Sequence, residues 1–232
     1  MKKLLLSIVV LLIAFFLYNS CQKQNAKNTS GSEVKATTVR PGVNPNDAGT
    51  PDLTIDANRL ASSVTVKTKV FKASDCVVVE GCAGVGKRKL LRFDVATPNI
   101  GTADLFLGDP VGNPLFEFSP CHGHYHFNGY ADYELLNSSS TTILLGRKQA
   151  FCLEDFARYY PNPGPAKYTC SYQGITVGWQ DIYGSYLDCQ WLDVTDIAPG
   201  NYSLRVTINP LRKLTESNYE NNTATVPVTI TK

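Results

Sequence analysis

Six cysteines spread along the last two thirds of the chain constrain its fold more than any other feature. The protein has 232 residues and seven cysteines; six of them, Cys76, Cys82, Cys121, Cys152, Cys170 and Cys189, lie well downstream of an apolar leader. In an exported chain an even set of cysteines reads as a disulfide framework, here three bridges. Spacing alone leaves their connectivity open. Around them the chain is patterned for β-structure. Alternation of apolar and polar residues runs through Ser63-Val64-Thr65-Val66-Lys67-Thr68-Lys69-Val70, through Tyr202-Ser203-Leu204-Arg205-Val206-Thr207-Ile208 and through Thr225-Val226-Pro227-Val228-Thr229-Ile230. Between such runs stand turn formers: Pro98-Asn99-Ile100-Gly101, Gly112-Asn113-Pro114, Pro161-Asn162-Pro163-Gly164-Pro165 and Pro199-Gly200-Asn201. No long apolar segment of helical period competes with them. The expectation is an all-β fold, a single β-sandwich-like domain with long loops and short helices, braced by disulfides.

The leader begins Met1-Lys2-Lys3, is apolar over residues 4–17 except at Ser7, and closes on Tyr18-Asn19-Ser20-Cys21. A basic start, a short apolar core and a small residue before the cut are the marks of an export signal. The apolar run is short for a membrane span. Its end resembles a bacterial lipoprotein signal, so residues 1–20 are expected to be removed and Cys21 to carry lipid, placing the protein in the cell envelope or, without the lipid, outside the cell. Residues 21–50, rich in Asn, Ser, Thr, Gly and Pro, read as a flexible tether, and residues 51–232 as one domain. Loss of Lys2 and Lys3 lowers Lys+Arg from 22 to 20, equal to the 20 Asp+Glu. A neutral domain has no electrostatic basis for nucleic-acid binding.

The chain's three histidines all fall within five positions, in Cys121-His122-Gly123-His124-Tyr125-His126. On a β-strand, side chains at i, i+2 and i+4 share a face, so His122, His124 and His126 can converge on one metal ion. Imidazole suits copper, zinc, iron and nickel alike.

Further on stand Gly146-Arg147-Lys148-Gln149-Ala150-Phe151-Cys152-Leu153-Glu154-Asp155, Asp181-Ile182-Tyr183-Gly184 and Asp188-Cys189-Gln190-Trp191-Leu192-Asp193. With the histidine run, these blocks resemble, in order, the copper-binding and cofactor-forming segments of the lysyl oxidases. The 35-residue step from Lys148 to Tyr183 (183 − 148) is similar to the family's. The likeness extends from Pro51-Asp52-Leu53 through Leu90-Leu91-Arg92-Phe93 to Glu216-Ser217-Asn218-Tyr219. It implies a copper-dependent amine oxidase in which His122, His124 and His126 hold copper, while Lys148 and Tyr183 join to form a lysyl tyrosylquinone. The substrate implied is a primary amine or a peptidyl lysine. It would be oxidised by O2 to an aldehyde with release of ammonia and hydrogen peroxide. Since the histidines are taken, the general base is expected to be a carboxylate, with Asp181, Asp188, Asp155 and Asp193 as candidates.

The resemblance also implies disulfides Cys76–Cys82 and Cys121–Cys170. At the positions of two further family cysteines stand Arg158 and Trp179, which leaves Cys152 and Cys189 to pair with each other. Two other readings start from the residues themselves. The tail from Pro199 to Thr223 resembles immunoglobulin-like surface modules, which would make the chain a tethered binding module with a structural ion. Three histidines and a water would equally serve a zinc hydrolase, in which Lys148 and Tyr183 stay unmodified.

Overall fold

The computed structural model describes residues 41–44, 48–146 and 150–231. The compact unit they belong to runs from Val39 to Lys232. Among the described residues strands dominate, arranged in five small antiparallel sheets, and the two helices are short. The all-β expectation with short helices and disulfide bracing holds.

The largest sheet orders β16 (Thr223–Ile230), β15 (Gly200–Ile208), β8 (Ala131–Leu136) and β9 (Thr142–Leu145). Along β16 exposed and buried residues alternate without a break, so Ala224, Val226, Val228 and Ile230 face the core and the intervening threonines face solvent. Pro227 lacks an N–H to donate, and β16 tolerates it because it is an edge strand. A second sheet orders β14 (Trp191–Asp193), β3 (Gly86–Arg92) and β2 (Thr65–Phe71). The helix α1 (Ala57–Ser63) precedes β2, and the Asp56 side chain caps it by accepting from the Arg59 N–H at 2.9 Å.

Three further sheets carry or flank the histidines and Tyr183. One orders β10 (Ala150–Phe151), β7 (His124–Asn128) and β6 (Phe116–Ser119). Another orders β11 (Ala157–Arg158), β13 (Trp179–Tyr183) and β4 (Val95–Pro98). The third orders β1 (Gly42–Val43), β5 (Leu105–Gly108) and β12 (Gln173–Ile175). Thus a piece of the stretch read as tether is strand: Gly42 pairs with Phe106 and Val43 with Leu105.

One apolar core joins the sheets, with Phe93, Phe127, Tyr130, Tyr133, Leu135 and Leu204 among its buried members. Each such side chain contributes roughly 1.5–3 kcal/mol by leaving water. A separate small cluster of Phe71, Val77, Cys82, Ala83, Leu90 and Trp191 packs around α2 (Cys76–Val79). Buried polar residues tie distant segments together. Glu216 accepts from the Leu53 N–H at 2.7 Å and from Asn209 and Asn222 at 2.6 and 2.8 Å. Burial raises its pKa despite these donors.

Candidate metal and tyrosine site

The strands β6 and β7 form a hairpin whose turn is residues 120–123. Gly123 sits there at φ +71°, a conformation that glycine adopts without strain. His122 N–H and Gly123 N–H both donate to the Ser119 carbonyl, at 3.2 and 2.8 Å. The strand begins only at His124, which corrects the expectation that one strand face presents all three histidines. His124 and His126 share a strand face, but His122 enters from the turn. The rings still converge: centroids lie 4.7 Å apart for His124 and His126, 5.1 Å for His122 and His126, and 5.9 Å for His122 and His124. Across the strand, Tyr125 packs edge-on to Phe118.

Nε2 of His126 lies 2.9 Å from Nε2 of His124. Two such nitrogens tolerate that approach when a proton or a cation joins them, and two nitrogens each about 2 Å from one ion are about 3 Å apart. Burial, followed by the neighbouring His122, lowers the His124 pKa, which favours the neutral imidazole that ligation requires. The donor set therefore fits a borderline-soft ion of the copper or zinc kind. Two other groupings of ligand-type atoms, Glu80 with Cys82 and Cys189 and Glu154 with Cys152 and Cys170, offer no thiolate, since their sulfurs are spent in disulfides.

Beneath the turn lies Glu80, a residue that sequence reasoning passed over. It is the C-cap of α2. Ser119 Oγ donates to its Oε1 at 2.8 Å, and its Oε2 lies 3.1 Å from His122 Nε2. A lone acid in the otherwise apolar run Cys76-Val77-Val78-Val79-Glu80 was the available signal.

Tyr183 ends β13, where it pairs with Val95. The Cys152 N–H donates to its hydroxyl oxygen at 2.6 Å. Cys152 directly follows β10, whose backbone at Phe151 pairs with Phe127 on the histidine strand. One short strand thus links the tyrosine to the imidazoles. Gln173, fully buried, locks this junction: it accepts from the Leu153 N–H at 2.9 Å and donates to the carbonyls of Tyr125 and Cys170 at 3.0 and 3.2 Å. Lys148, with Arg147 and Gln149, lies outside the described residues.

The four carboxylate candidates separate by environment. Asp181 is two positions from Tyr183 on β13, so both side chains leave the same strand face. It is 3% exposed, and its Oδ2 has no hydrogen-bond partner among the described residues. Burial, then the charge of Glu154, holds its pKa well above the ordinary aspartate range. Burial and Asp181 likewise push the Tyr183 phenol upward. Glu154, also raised chiefly by burial, was not among the sequence candidates. Asp155 is saturated, accepting from the N–H groups of Lys167 and Thr176 and from the Thr176 hydroxyl, each at 2.7 Å. Asp188 lies on the surface, 3.5 Å from Lys69. Asp193 faces Arg88 at 3.9 Å and accepts from the Thr195 N–H. With Arg88 and Trp191 it lines a cavity of about 270 Å³ beside Cys82, which no histidine lines.

All three expected disulfides are corrected. Instead of Cys76–Cys82, Cys121–Cys170 and Cys152–Cys189, the bonds are Cys76–Cys121, Cys82–Cys189 and Cys152–Cys170, with Cα separations of 5.7, 5.2 and 5.3 Å. The helix α2 explains the first change, because it turns Cys76 toward the histidine turn and leaves Cys82 under Trp191, whose indole N–H donates to the Cys82 carbonyl at 3.1 Å. Cys189, two residues before Trp191, is thereby brought to Cys82. Cys152 is held by the Gln173 junction beside Cys170. Arg158 and Trp179 oppose each other across β11 and β13, with the guanidinium 5.8 Å from the indole ring.

These features define a class: a disulfide-braced all-β domain in which an imidazole cluster connects through one short strand to a partly buried tyrosine and a buried carboxylate. The family model described as Lysyl oxidase matches residues 51–232, and the chain belongs to the lysyl oxidase family. It is 36% identical over 185 residues to Lysyl oxidase homolog 3B of Danio rerio, a match covering 74% of this chain and 22% of the relative. To human Lysyl oxidase homolog 1 it is 35% identical over 191 residues, 77% of this chain and 33% of the relative. To human Protein-lysine 6-oxidase it is 34% identical over 186 residues, 75% and 44% respectively. The chain spans less than half the length of each of these curated relatives.

Proposed function

We propose that this protein is a copper-dependent amine oxidase that converts primary amines, peptidyl lysine among them, to aldehydes with release of ammonia and hydrogen peroxide. His122, His124 and His126 hold the copper, and Lys148 and Tyr183 form the cofactor. The observation that carries the reading is the buried Asp181 beside Tyr183, one strand away from three converging imidazoles. When bound, copper with O2 would supply the oxidation of the Tyr183 ring and, once Lys148 has joined it, a quinone electron sink for the amine.

The chain's own residues do the rest. The Cys152 N–H fixes the Tyr183 oxygen, so the ring is held at its hydroxyl end on the same strand face as Asp181. Asp181 Oδ2, buried and without a donor among the described residues, is the acceptor for the proton leaving the substrate's α-carbon. Its raised proton affinity makes it a strong base once ionised. Asp155, Asp188 and Asp193 are already occupied by the partners described above. The family match includes the tail that suggested a tethered binding module, and the pairing of Tyr183 with the buried Asp181 carboxyl has no role in a zinc hydrolase. Three disulfides suit an exported protein, and we extend this to a lipid anchor at Cys21, which the mass of the N-terminal peptide would test.

The experiment is peptide mass mapping after copper loading in air, together with Lys148→Ala and Tyr183→Phe variants. A covalent link between the Lys148 and Tyr183 peptides is expected, with amine-dependent peroxide formation lost in both variants while copper stays bound. Turnover retained by either variant would overturn the cofactor assignment.

A further inference from the structure

The helix α2 is a single turn, and disulfides fasten it at both ends: Cys76, its first residue, to Cys121 beside His122, and Cys82, just past its end, to Cys189. Glu80 closes this turn, its N–H donating to the Cys76 carbonyl at 2.8 Å. Its side chain is 8% exposed. A carboxylate so buried is expensive unless its oxygens are engaged. One oxygen accepts from Ser119, the last residue of β6, and the other lies 3.1 Å from His122 Nε2. Ser119 also anchors the turn through its carbonyl. A small fixed frame therefore aims one carboxylate oxygen at one ring nitrogen of the histidine that the strand does not orient.

That frame matters because of how His122 is placed. His124 and His126 are set by the pleat of β7, whereas a turn residue has no such constraint on its ring. A ligating imidazole uses one nitrogen for the metal and carries its proton on the other, and a carboxylate at the second nitrogen decides which is which. We propose that Glu80 is the positioning residue of the imidazole site: it holds His122 with the proton on Nε2, leaving Nδ1 as the nitrogen presented to the metal. The inference rests on the proposed metal-binding role of the histidines and adds to it a fourth residue that touches the imidazole and not the ion.

The test uses the full chain and Glu80→Gln and Ser119→Ala variants, with Cu(II) affinity measured by chelator competition and the His122 tautomer read by nitrogen-15 NMR of the zinc-loaded protein. His122 is expected to carry its proton on Nε2 in the wild type. In Glu80→Gln that preference should weaken and Cu(II) affinity should fall about 10- to 100-fold, with a smaller loss in Ser119→Ala, where the carboxylate remains but is less well aimed. A folded Glu80→Gln protein that binds copper as the wild type does would overturn the inference, as would an unprotonated His122 Nε2 in the zinc-loaded protein. Should Glu80→Gln fail to fold, the Ser119→Ala affinity and the wild-type tautomer still decide it. A wild-type protein that binds no copper would instead remove the metal reading itself.

Discussion

At the scale of single residues, Asp181 concentrates the conflict between stability and chemistry. Its pKa is raised by burial, so the stability associated with its neutral form is complete below the ordinary aspartate value of about 4 and is lost as pH rises through the higher folded value. Asp181→Asn removes that dependence. The variant is expected to match the wild type in thermal unfolding near pH 4 and to become the more stable by roughly 1–3 kcal/mol at higher pH, each kcal/mol corresponding to about 2–4 °C. Amine oxidation should fall by at least about 100-fold in the same variant. A pH-independent difference in unfolding temperature would show that the buried carboxyl is not the cause. Sequence offered four aspartates as candidates for the proposed base; burial then distinguished them, because Asp181 and Asp193 look alike as letters while one is buried with its Oδ2 unpartnered among the described residues and the other, partly exposed, faces an arginine. Glu80 and Glu154 went unselected for the same reason.

At the scale of elements, the strand runs were legible and their edges nearly so. The run from Tyr202 to Ile208 lies within β15 and that from Thr225 to Ile230 within β16, because a half-buried antiparallel strand writes its period into the sequence. The convergence of the three histidines is expected if their run is a strand, yet Gly123 takes a left-handed conformation and the strand starts after it. Disulfide pairing was the least legible element. Cysteine identity carries no partner information, and the four-residue α2 reorients Cys76 and Cys82 enough to exchange both of their partners. Non-reducing peptide mapping is expected to recover Cys76–Cys121, Cys82–Cys189 and Cys152–Cys170. Replacing Cys152 and Cys170 by serine should cost about 3 kcal/mol in chemical denaturation, the scale of a closed loop of this length. An unchanged midpoint would mean that the Gln173 junction alone holds the segment.

At the scale of the whole molecule, five small sheets reach one core because long loops are pinned by buried polar side chains as much as by strand pairing. The Pro41 carbonyl accepts from the Thr215 N–H at 2.9 Å, and β1 adds a third strand to the sheet of β5 and β12. A protein spanning 39–232 should therefore unfold at a higher temperature than one spanning 51–232, by several degrees at about 1 kcal/mol per lost backbone hydrogen bond; identical midpoints would reduce β1 to a passive contact. By itself the sequence determined the all-β class, the three-imidazole cluster and the family, since period, residue type and ordered motifs are local properties that survive without coordinates. The tertiary structure alone decided which cysteines meet, which carboxylate is buried beside Tyr183 and which one reaches His122, because each of those depends on segments far apart in the chain arriving at one place, and on how little water they leave there.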